Sequence, residues 1–156
     1  MKTKSVAILI LASVLVMAIL CPLSAANNPS HFLLKDMRGE AYDSRRVLGK
    51  KPLLIVFSTT WCPSCNKLLP EFRRIHRQYT PKGLEMISIN IGESNKKVAA
   101  WLFKNQVPYR VLVDETGAVG TAYQVMGVPS MVLINKEGKV VCNPCTSLKP
   151  IDDLLK

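Results

Sequence analysis

The sequence predicts a single α/β domain whose central sheet contains strands of both directions. Three observations support this prediction. Apolar runs of strand length alternate with amphipathic segments of helical period, a polar turn near the C-terminus joins two further strand-like runs, and 156 residues suffice for one hydrophobic core. No internal repeat, low-complexity segment or interdomain linker divides the chain.

The N-terminus is predicted to be separate from that domain. Lys2 and Lys4 precede an apolar run over residues 6–20, and small residues follow the run, which is the pattern of an export signal cleaved before Asn27. An uncleaved membrane anchor formed by residues 5–23 is the alternative, because the run is only somewhat shorter than the roughly 20 apolar residues that span a bilayer.

Both alternatives place the folded domain outside the cytoplasm. Residues 1–26 are expected to be a signal peptide or membrane anchor, and residues 27–156 to form the domain, in the periplasm or at the outer face of the cytoplasmic membrane. The net charge of +10 permits attraction to anionic lipids or acidic proteins. The 21 lysines and arginines are scattered and form no basic stripe, so nucleic acid is not expected as a partner.

The domain is predicted to begin with a short β-hairpin over residues 31–44. Phe32 and Leu34 alternate with polar positions, and Gly39 falls at the turn. Residues 51–60 then form a near-continuous apolar run, which is typical of a central strand covered on both faces.

Helices and strands alternate through the rest of the chain. An amphipathic helix is predicted over residues 64–79, and Pro70 should kink it. Ser94 is positioned to cap the next helix. The later elements are, in order, a buried strand over 83–92, a helix over 94–106, a strand over 107–114, a short helix over 118–124, a hairpin over 128–142 and a closing helix over 147–156.

Four cysteines follow the leader, as two Cys-x-x-Cys pairs. Cys62 falls where the central strand gives way to a helical pattern, and a helix N-terminus favours the thiolate that attacks disulfides. Cys65, one turn later, could resolve a mixed disulfide formed at Cys62. The alternative from another class is a metal-binding or metal-delivery protein that uses these two thiolates together with Cys142 and Cys145.

Three separated motifs give the chain a resemblance to a known family. They are FSTTWCPSCNKLLP at 57–70, INIGES at 89–94 and GVPSMVLINKEGKV at 127–140. With these motifs, the chain from about residue 31 to the C-terminus resembles the exported thioredoxin-fold thiol:disulfide oxidoreductases of the TlpA/ResA type, which include cytochrome c maturation reductases. The resemblance implies a thioredoxin fold with an N-terminal hairpin extension.

The resemblance also implies a site and partners. Cys62 would attack and Cys65 resolve, Trp61 would cover the active-site loop, and Val128–Pro129 would be a cis peptide that faces the cysteines and positions an extended substrate. The substrates would be protein thiols and disulfides. A reductant role is favoured, with a membrane-embedded thiol electron donor and apocytochrome c as a possible substrate. No cofactor or metal is expected, and the protein should be a monomer.

Two positions depart from the family pattern. Leu68 stands where members often carry a buried glutamate, and Val56 stands where thioredoxin has a buried aspartate. We therefore hypothesise that proton transfer uses water or a carboxylate elsewhere, for which Glu93 is a weak candidate.

The second cysteine pair is predicted to lie at the rim of the site. If the hairpin turn is 135–138, Ile134 faces Lys139, and counting outward sets Met131 opposite Cys142 and Ser130 opposite Asn143. Three interpretations of Cys142 and Cys145 stay open at this point: a static disulfide, a second redox dithiol, and half of a four-thiolate metal site.

Overall fold

Seven strands form one mixed sheet at the centre of the computed structural model, which describes residues 28–147 and 149–155. The strands are β1 (Leu33–Asp36), β2 (Ala41–Asp43), β3 (Leu53–Ser58), β4 (Glu85–Ile91), β5 (Arg110–Asp114), β6 (Ser130–Ile134) and β7 (Val140–Cys142). Their order across the sheet is β2-β1-β5-β4-β3-β6-β7. Because β3 pairs in parallel with β4 and antiparallel with β6, the predicted mixed α/β sheet is confirmed.

Five helices cover this sheet within the described residues. They are α1 (Pro63–Lys67), α2 (Leu69–Tyr79), α3 (Asn95–Asn105), α4 (Ala118–Ala122) and α5 (Lys149–Leu154), with 3-10 turns at Ser44–Arg46 and Thr80–Lys82. The kink predicted at Pro70 is a full break between α1 and α2. Pro70 lies in the first turn of α2, where its missing amide hydrogen has no helical partner to lose.

The central strand β3 separates two hydrophobic cores, and all six of its residues are buried. Side chains alternate between the faces of a strand. Leu54 and Val56 therefore pack into the core beneath α2 and α5, while Ile55 and Phe57 pack into the core on the α4 side of the sheet. The loop after β3 is anchored by a strand that is covered on both faces.

The N-terminal cap of α3 differs from the prediction. Ser94 occupies the N-cap position, but its side chain makes no capping hydrogen bond. Glu115 takes over part of that role, because its Oε1 accepts hydrogen bonds from the backbone amide and the side-chain amide of Asn95, at 3.1 and 3.2 Å.

The predicted register of the last hairpin was wrong. Leu133, not Met131, pairs with Cys142, and Ile134 pairs with Val140. Two irregularities shift the pairing. The turn is closed by Asn135 and Lys139 instead of Ile134 and Lys139, so its loop is one residue shorter than predicted, and a β-bulge lies between the two registered pairs. Met131 nevertheless contacts this pair, because its carbonyl accepts a 2.8 Å hydrogen bond from the Cys145 amide.

The predicted leader over residues 1–26 lies outside the described residues. Within 28–147 and 149–155, no helix combines the length and the apolar character needed to cross a membrane.

A hydrogen bond joins α5 to Tyr79, the last residue of α2. The Tyr79 hydroxyl donates to Asp152 Oδ1 at 2.6 Å. Tyr79→Phe removes this bond without changing the packed ring, so we expect a loss of about 1–2 kcal/mol in the free energy of unfolding. Urea denaturation of the two proteins measures the difference. An unchanged midpoint and slope would show that the bond adds nothing to stability.

Candidate active site

Cys62 is the N-cap residue of α1, directly after the loop that follows β3. Its backbone is extended, with φ −77° and ψ 114°, and its Sγ accepts a hydrogen bond from the Cys65 amide at 3.2 Å. Ser64 Oγ lies 3.2 Å from the same sulfur. In the reduced protein, an amide and a hydroxyl at these positions could both donate hydrogen bonds to a Cys62 thiolate.

Cys62 and Cys65 are joined as a disulfide, with Cα atoms 5.3 Å apart. Both side chains are buried. Cys62 is the N-cap residue of α1, and Cys65 lies in its first turn. The roles of attacking thiol for Cys62 and resolving thiol for Cys65 stay a prediction.

The loop before β6 lies against the cysteine pair. The Val128–Pro129 peptide is cis, as the resemblance implied, and Cys62 Sγ is 3.6 Å from the Val128 carbonyl oxygen. Trp61 is 65% exposed and Met126 is 97% exposed. Trp61 therefore lies largely in solvent next to Cys62 in the sequence, and it is not a core residue. Its role in covering the active-site loop stays a prediction.

The Glu93 carboxylate holds the loop that precedes Cys62, because it accepts two hydrogen bonds from Thr60. Glu93 Oε2 accepts from the Thr60 amide at 2.7 Å, and Oε1 accepts from the Thr60 hydroxyl at 2.6 Å. Asn90 Nδ2 donates to the same carboxylate at 3.1 Å, and Lys97 Nζ lies 3.0 Å from Oε1. The Glu93 side chain is only 1% exposed. These four donors satisfy the buried Glu93 carboxylate.

A second set of hydrogen bonds holds Thr60 from the opposite side. Asn66 Nδ2 donates to the Thr60 carbonyl at 3.1 Å, and Trp101 Nε1 donates to Asn66 Oδ1 at 3.0 Å. The amide, carbonyl and hydroxyl of Thr60 are therefore all bonded. We call Thr60, Asn66, Glu93, Asn90 and Trp101 the Thr60 clamp. It fixes the backbone two residues before the Cys62 sulfur.

The charge of Glu93 bears on the proton-transfer hypothesis. Burial raises the pKa of Glu93, but hydrogen bonds from Thr60, Asn90 and Lys97 outweigh it and leave the pKa below the ordinary value of 4.5. A carboxylate held in its charged form is a poor proton carrier near neutrality. The geometry therefore favours a positioning role for Glu93 over the weak proton-transfer candidacy that the sequence suggested.

The two positions that lack the family acids are apolar in the structure as well. Leu68 packs against the core at the break between α1 and α2, and Val56 is buried in β3. The Val56 carbonyl accepts a hydrogen bond from Ser88 Oγ at 3.2 Å. Neither position supplies a proton to Cys65.

The second pair forms its own disulfide beyond β6. Cys142 ends β7, and Cys145 is joined to it with a Cα separation of 5.0 Å. No group of three or more potential metal ligands occurs in the part of the chain that the structure describes. The four cysteines are thus two separate pairs, and the four-thiolate alternative has no geometric support.

The sequence suggested roles for the cysteines and for Pro129 but gave no sign of most of the Thr60 clamp. Thr60, Asn66, Asn90 and Trp101 received no role, and Glu93 was considered only for proton transfer. The one available signal was the position of Glu93 directly after a predicted buried strand.

A mixed sheet flanked by helices, with a Cys-x-x-Cys pair at the N-terminus of the helix that follows β3, is the arrangement of a thioredoxin-like protein. Residues 26–142 match the AhpC/TSA family. The chain belongs to that family.

Comparisons with individual proteins agree on the class. The chain is 31% identical over 119 residues to "Thiol-disulfide oxidoreductase ResA" of Bacillus subtilis, and 27% identical over 117 residues to the protein of the same name from Halalkalibacterium halodurans. The matches cover 76% and 75% of this chain and 66% of each relative's length. The thioredoxin domain of a thiol-disulfide oxidoreductase from Bacteroides vulgatus superimposes with a TM-score of 0.74 at 16% identity, over 86% of this chain and 99% of that one.

Proposed function

We propose that this protein is a thiol:disulfide oxidoreductase that exchanges the Cys62–Cys65 dithiol or disulfide with protein substrates. One observation carries the proposal: Cys62 caps the N-terminus of a helix, its sulfur accepts a hydrogen bond from the Cys65 amide, and the same sulfur lies 3.6 Å from the Val128 carbonyl oxygen. Relatives named as thiol-disulfide oxidoreductases support it.

The proposed reaction as a reductant proceeds in two exchanges. The Cys62 thiolate attacks a substrate disulfide, forms a mixed disulfide and releases one substrate thiolate, which takes up a proton. Cys65, deprotonated, then attacks Cys62 Sγ, forms the Cys62–Cys65 disulfide and releases the second substrate thiol. Two electrons pass to the substrate, and a thiol donor must later restore the dithiol.

The loop at Val128 would position the substrate. Its carbonyl already lies 3.6 Å from Cys62 Sγ, so a segment bound along this backbone would present its sulfur to the attacking atom. Trp61 and Met126, both strongly exposed, would contact the same segment.

The finer assignment follows the family resemblance and the leader. We propose that the protein works outside the cytoplasm, in the periplasm or at the outer membrane face, as a monomeric reductant recharged by a membrane-embedded thiol donor. Apocytochrome c is the proposed substrate class. The leader of Lys2, Lys4 and an apolar run supports the location.

Insulin reduction with dithiothreitol as electron donor tests the activity. We expect faster precipitation of the insulin B chain than with dithiothreitol alone. A glutathione titration of the full chain, quenched by alkylation and read by mass spectrometry, should show that Cys62 and Cys65 convert between disulfide and dithiol. If neither insulin reduction nor titration of this pair is seen, the proposed function fails.

A further inference from the structure

We propose that Cys142 and Cys145 form a second thiol-disulfide exchange centre, in which an external thiol attacks Cys142 and Cys145 is the leaving sulfur. This inference does not depend on the activity of Cys62 and Cys65. It rests on the exposure of the two sulfur-bearing residues, on the bonds that hold their loop, and on the size of the ring that their disulfide closes.

The two cysteines differ in their access to solvent. Cys142 is half-buried and lines an open groove of about 600 Å³, whose apolar walls include Val141, Pro144, Pro150 and Leu154. Cys145 is 8% exposed, does not line the groove, and packs into the core cluster with Ile151. A thiolate that enters from the groove therefore meets Cys142 first, with Cys145 behind it.

The loop between the cysteines is held by bonds other than the disulfide. The Cys145 amide donates to the Met131 carbonyl at 2.8 Å, and Asn143 Nδ2 donates to the Tyr123 carbonyl at 2.8 Å. Both bonds survive cleavage of the sulfur–sulfur bond. The loop can thus stay in place through a cycle of reduction and oxidation.

The reduced state also has a partner for the buried sulfur. Cys145 Sγ lies 3.3 Å from the Cys142 carbonyl oxygen, which could accept a hydrogen bond from the thiol. A buried thiol with an acceptor costs less than one without. The structure therefore accommodates the dithiol without an unpaired polar group at Cys145.

A purely structural role explains the pair poorly. The disulfide closes a ring of only four residues, from Cys142 to Cys145. The chain entropy removed by a cross-link grows with the size of the loop it closes, so this one adds little to stability. The hydrogen bonds at Met131 and Tyr123 already fix the same segment.

The reduction of the Cys142–Cys145 disulfide needs two electrons, and an external donor with two thiols supplies them. The first donor thiolate bonds to Cys142 Sγ, the sulfur–sulfur bond breaks, and Cys145 leaves as thiolate and takes up a proton. A second donor thiolate attacks the donor sulfur of the mixed disulfide, and Cys142 leaves and is protonated. The donor is oxidised to a disulfide, and the Cys142–Cys145 pair is reduced by two electrons.

The thiol donor in this proposal is another molecule. A dithiol of a protein partner, including the Cys62–Cys65 dithiol of a second copy, fits the chemistry.

The test is a glutathione titration of the full chain carrying Cys62→Ser and Cys65→Ser, so that only the second pair can titrate among the cysteines after the leader. Alkylation and mass spectrometry follow the pair in native buffer, and circular dichroism confirms that the fold is kept. Structural disulfides resist the glutathione pool. We expect reversible reduction of Cys142–Cys145 to the dithiol while the domain stays folded.

A pair that remains oxidised until guanidinium unfolds the chain would overturn the proposal. Repeating the titration on the wild-type chain follows both pairs at once and separates failure of this proposal from failure of the oxidoreductase function.

A matched pair of variants tests which sulfur is attacked. Both variants also carry Cys21→Ser, so that the free thiol is Cys142 in Cys145→Ser and Cys145 in Cys142→Ser. Reaction with 5,5′-dithiobis(2-nitrobenzoate) is expected to be at least tenfold faster for Cys145→Ser, because only Cys142 lines the groove. Equal rates in two folded variants would contradict the assigned direction of attack.

Discussion

Cys62→Ser is expected to abolish insulin reduction, with a loss of at least about 10³-fold against the wild-type rate. Serine cannot act as the thiolate that opens the substrate disulfide, and no other described cysteine shares its place beside the Val128 carbonyl. The measurement is the rate of insulin B-chain precipitation with dithiothreitol as donor. The serine side chain is close in size to cysteine, so the fold should persist.

Cys65→Ser provides the matched comparison, because the attacking sulfur is kept and only the resolving sulfur is lost. The mixed disulfide at Cys62 should then accumulate and appear in the intact mass as one added substrate chain. Cys62→Ser should trap nothing. Trapping by Cys62→Ser, or insulin reduction that survives in it, would assign the attack to another sulfur and overturn the roles given to the two cysteines.

The order of strands and helices could be predicted because each element carries its own local pattern. The buried run in β3, the alternation around Gly39 and the apolar stripe of α2 are set by which side chains must leave water. Gly39 has φ +81°, a conformation that glycine adopts without a steric penalty. The position of this turn could therefore be predicted from the glycine alone.

The register of the last hairpin could not be predicted in the same way. Its turn closes through Asn135, whose side chain accepts a 2.8 Å hydrogen bond from the Lys139 amide, and a bulge then adds a residue on β7. Both features depend on side-chain hydrogen bonds and local twist rather than on the apolar pattern. The predicted partner of Cys142, Met131, therefore lies two residues from the observed partner, Leu133.

The residues of the candidate site also differ in whether a local sequence pattern marks them. Cys62, Cys65 and Pro129 could be proposed from the sequence because they stand in a short spacing or a recognisable motif. The Thr60 clamp could not, because Glu93 and Trp101 lie 33 and 35 residues from their partners and meet them only when β4 and α3 pack beside the loop. Hydrogen bonds across such separations leave no local pattern.

Glu93→Gln is expected to destabilise the domain and slow exchange at Cys62. A glutamine keeps one oxygen but replaces the other with an amide that cannot accept from Thr60, and it removes the charge that Lys97 pairs with. We expect a loss of about 2–4 kcal/mol in the free energy of unfolding at neutral pH, since hydrogen bonds to buried charged groups are the strong ones. Insulin reduction should fall about tenfold, because the Cys62 loop loses its fixed position.

The pH dependence of that loss separates the charge of Glu93 from its shape. The pKa of Glu93 in the folded protein lies below its ordinary value of 4.5, so the carboxylate stabilises the fold fully above that value and loses its contribution as the pH falls through the folded pKa. The difference in unfolding free energy between wild type and Glu93→Gln should therefore be constant above about pH 5 and shrink in more acidic buffer. Glu137→Gln, at an exposed carboxylate 3.9 Å from Lys136, is the control and should change neither quantity. A wild-type advantage that stays the same down to pH 3 would show that the shape of the side chain, rather than its charge, holds Thr60 in place.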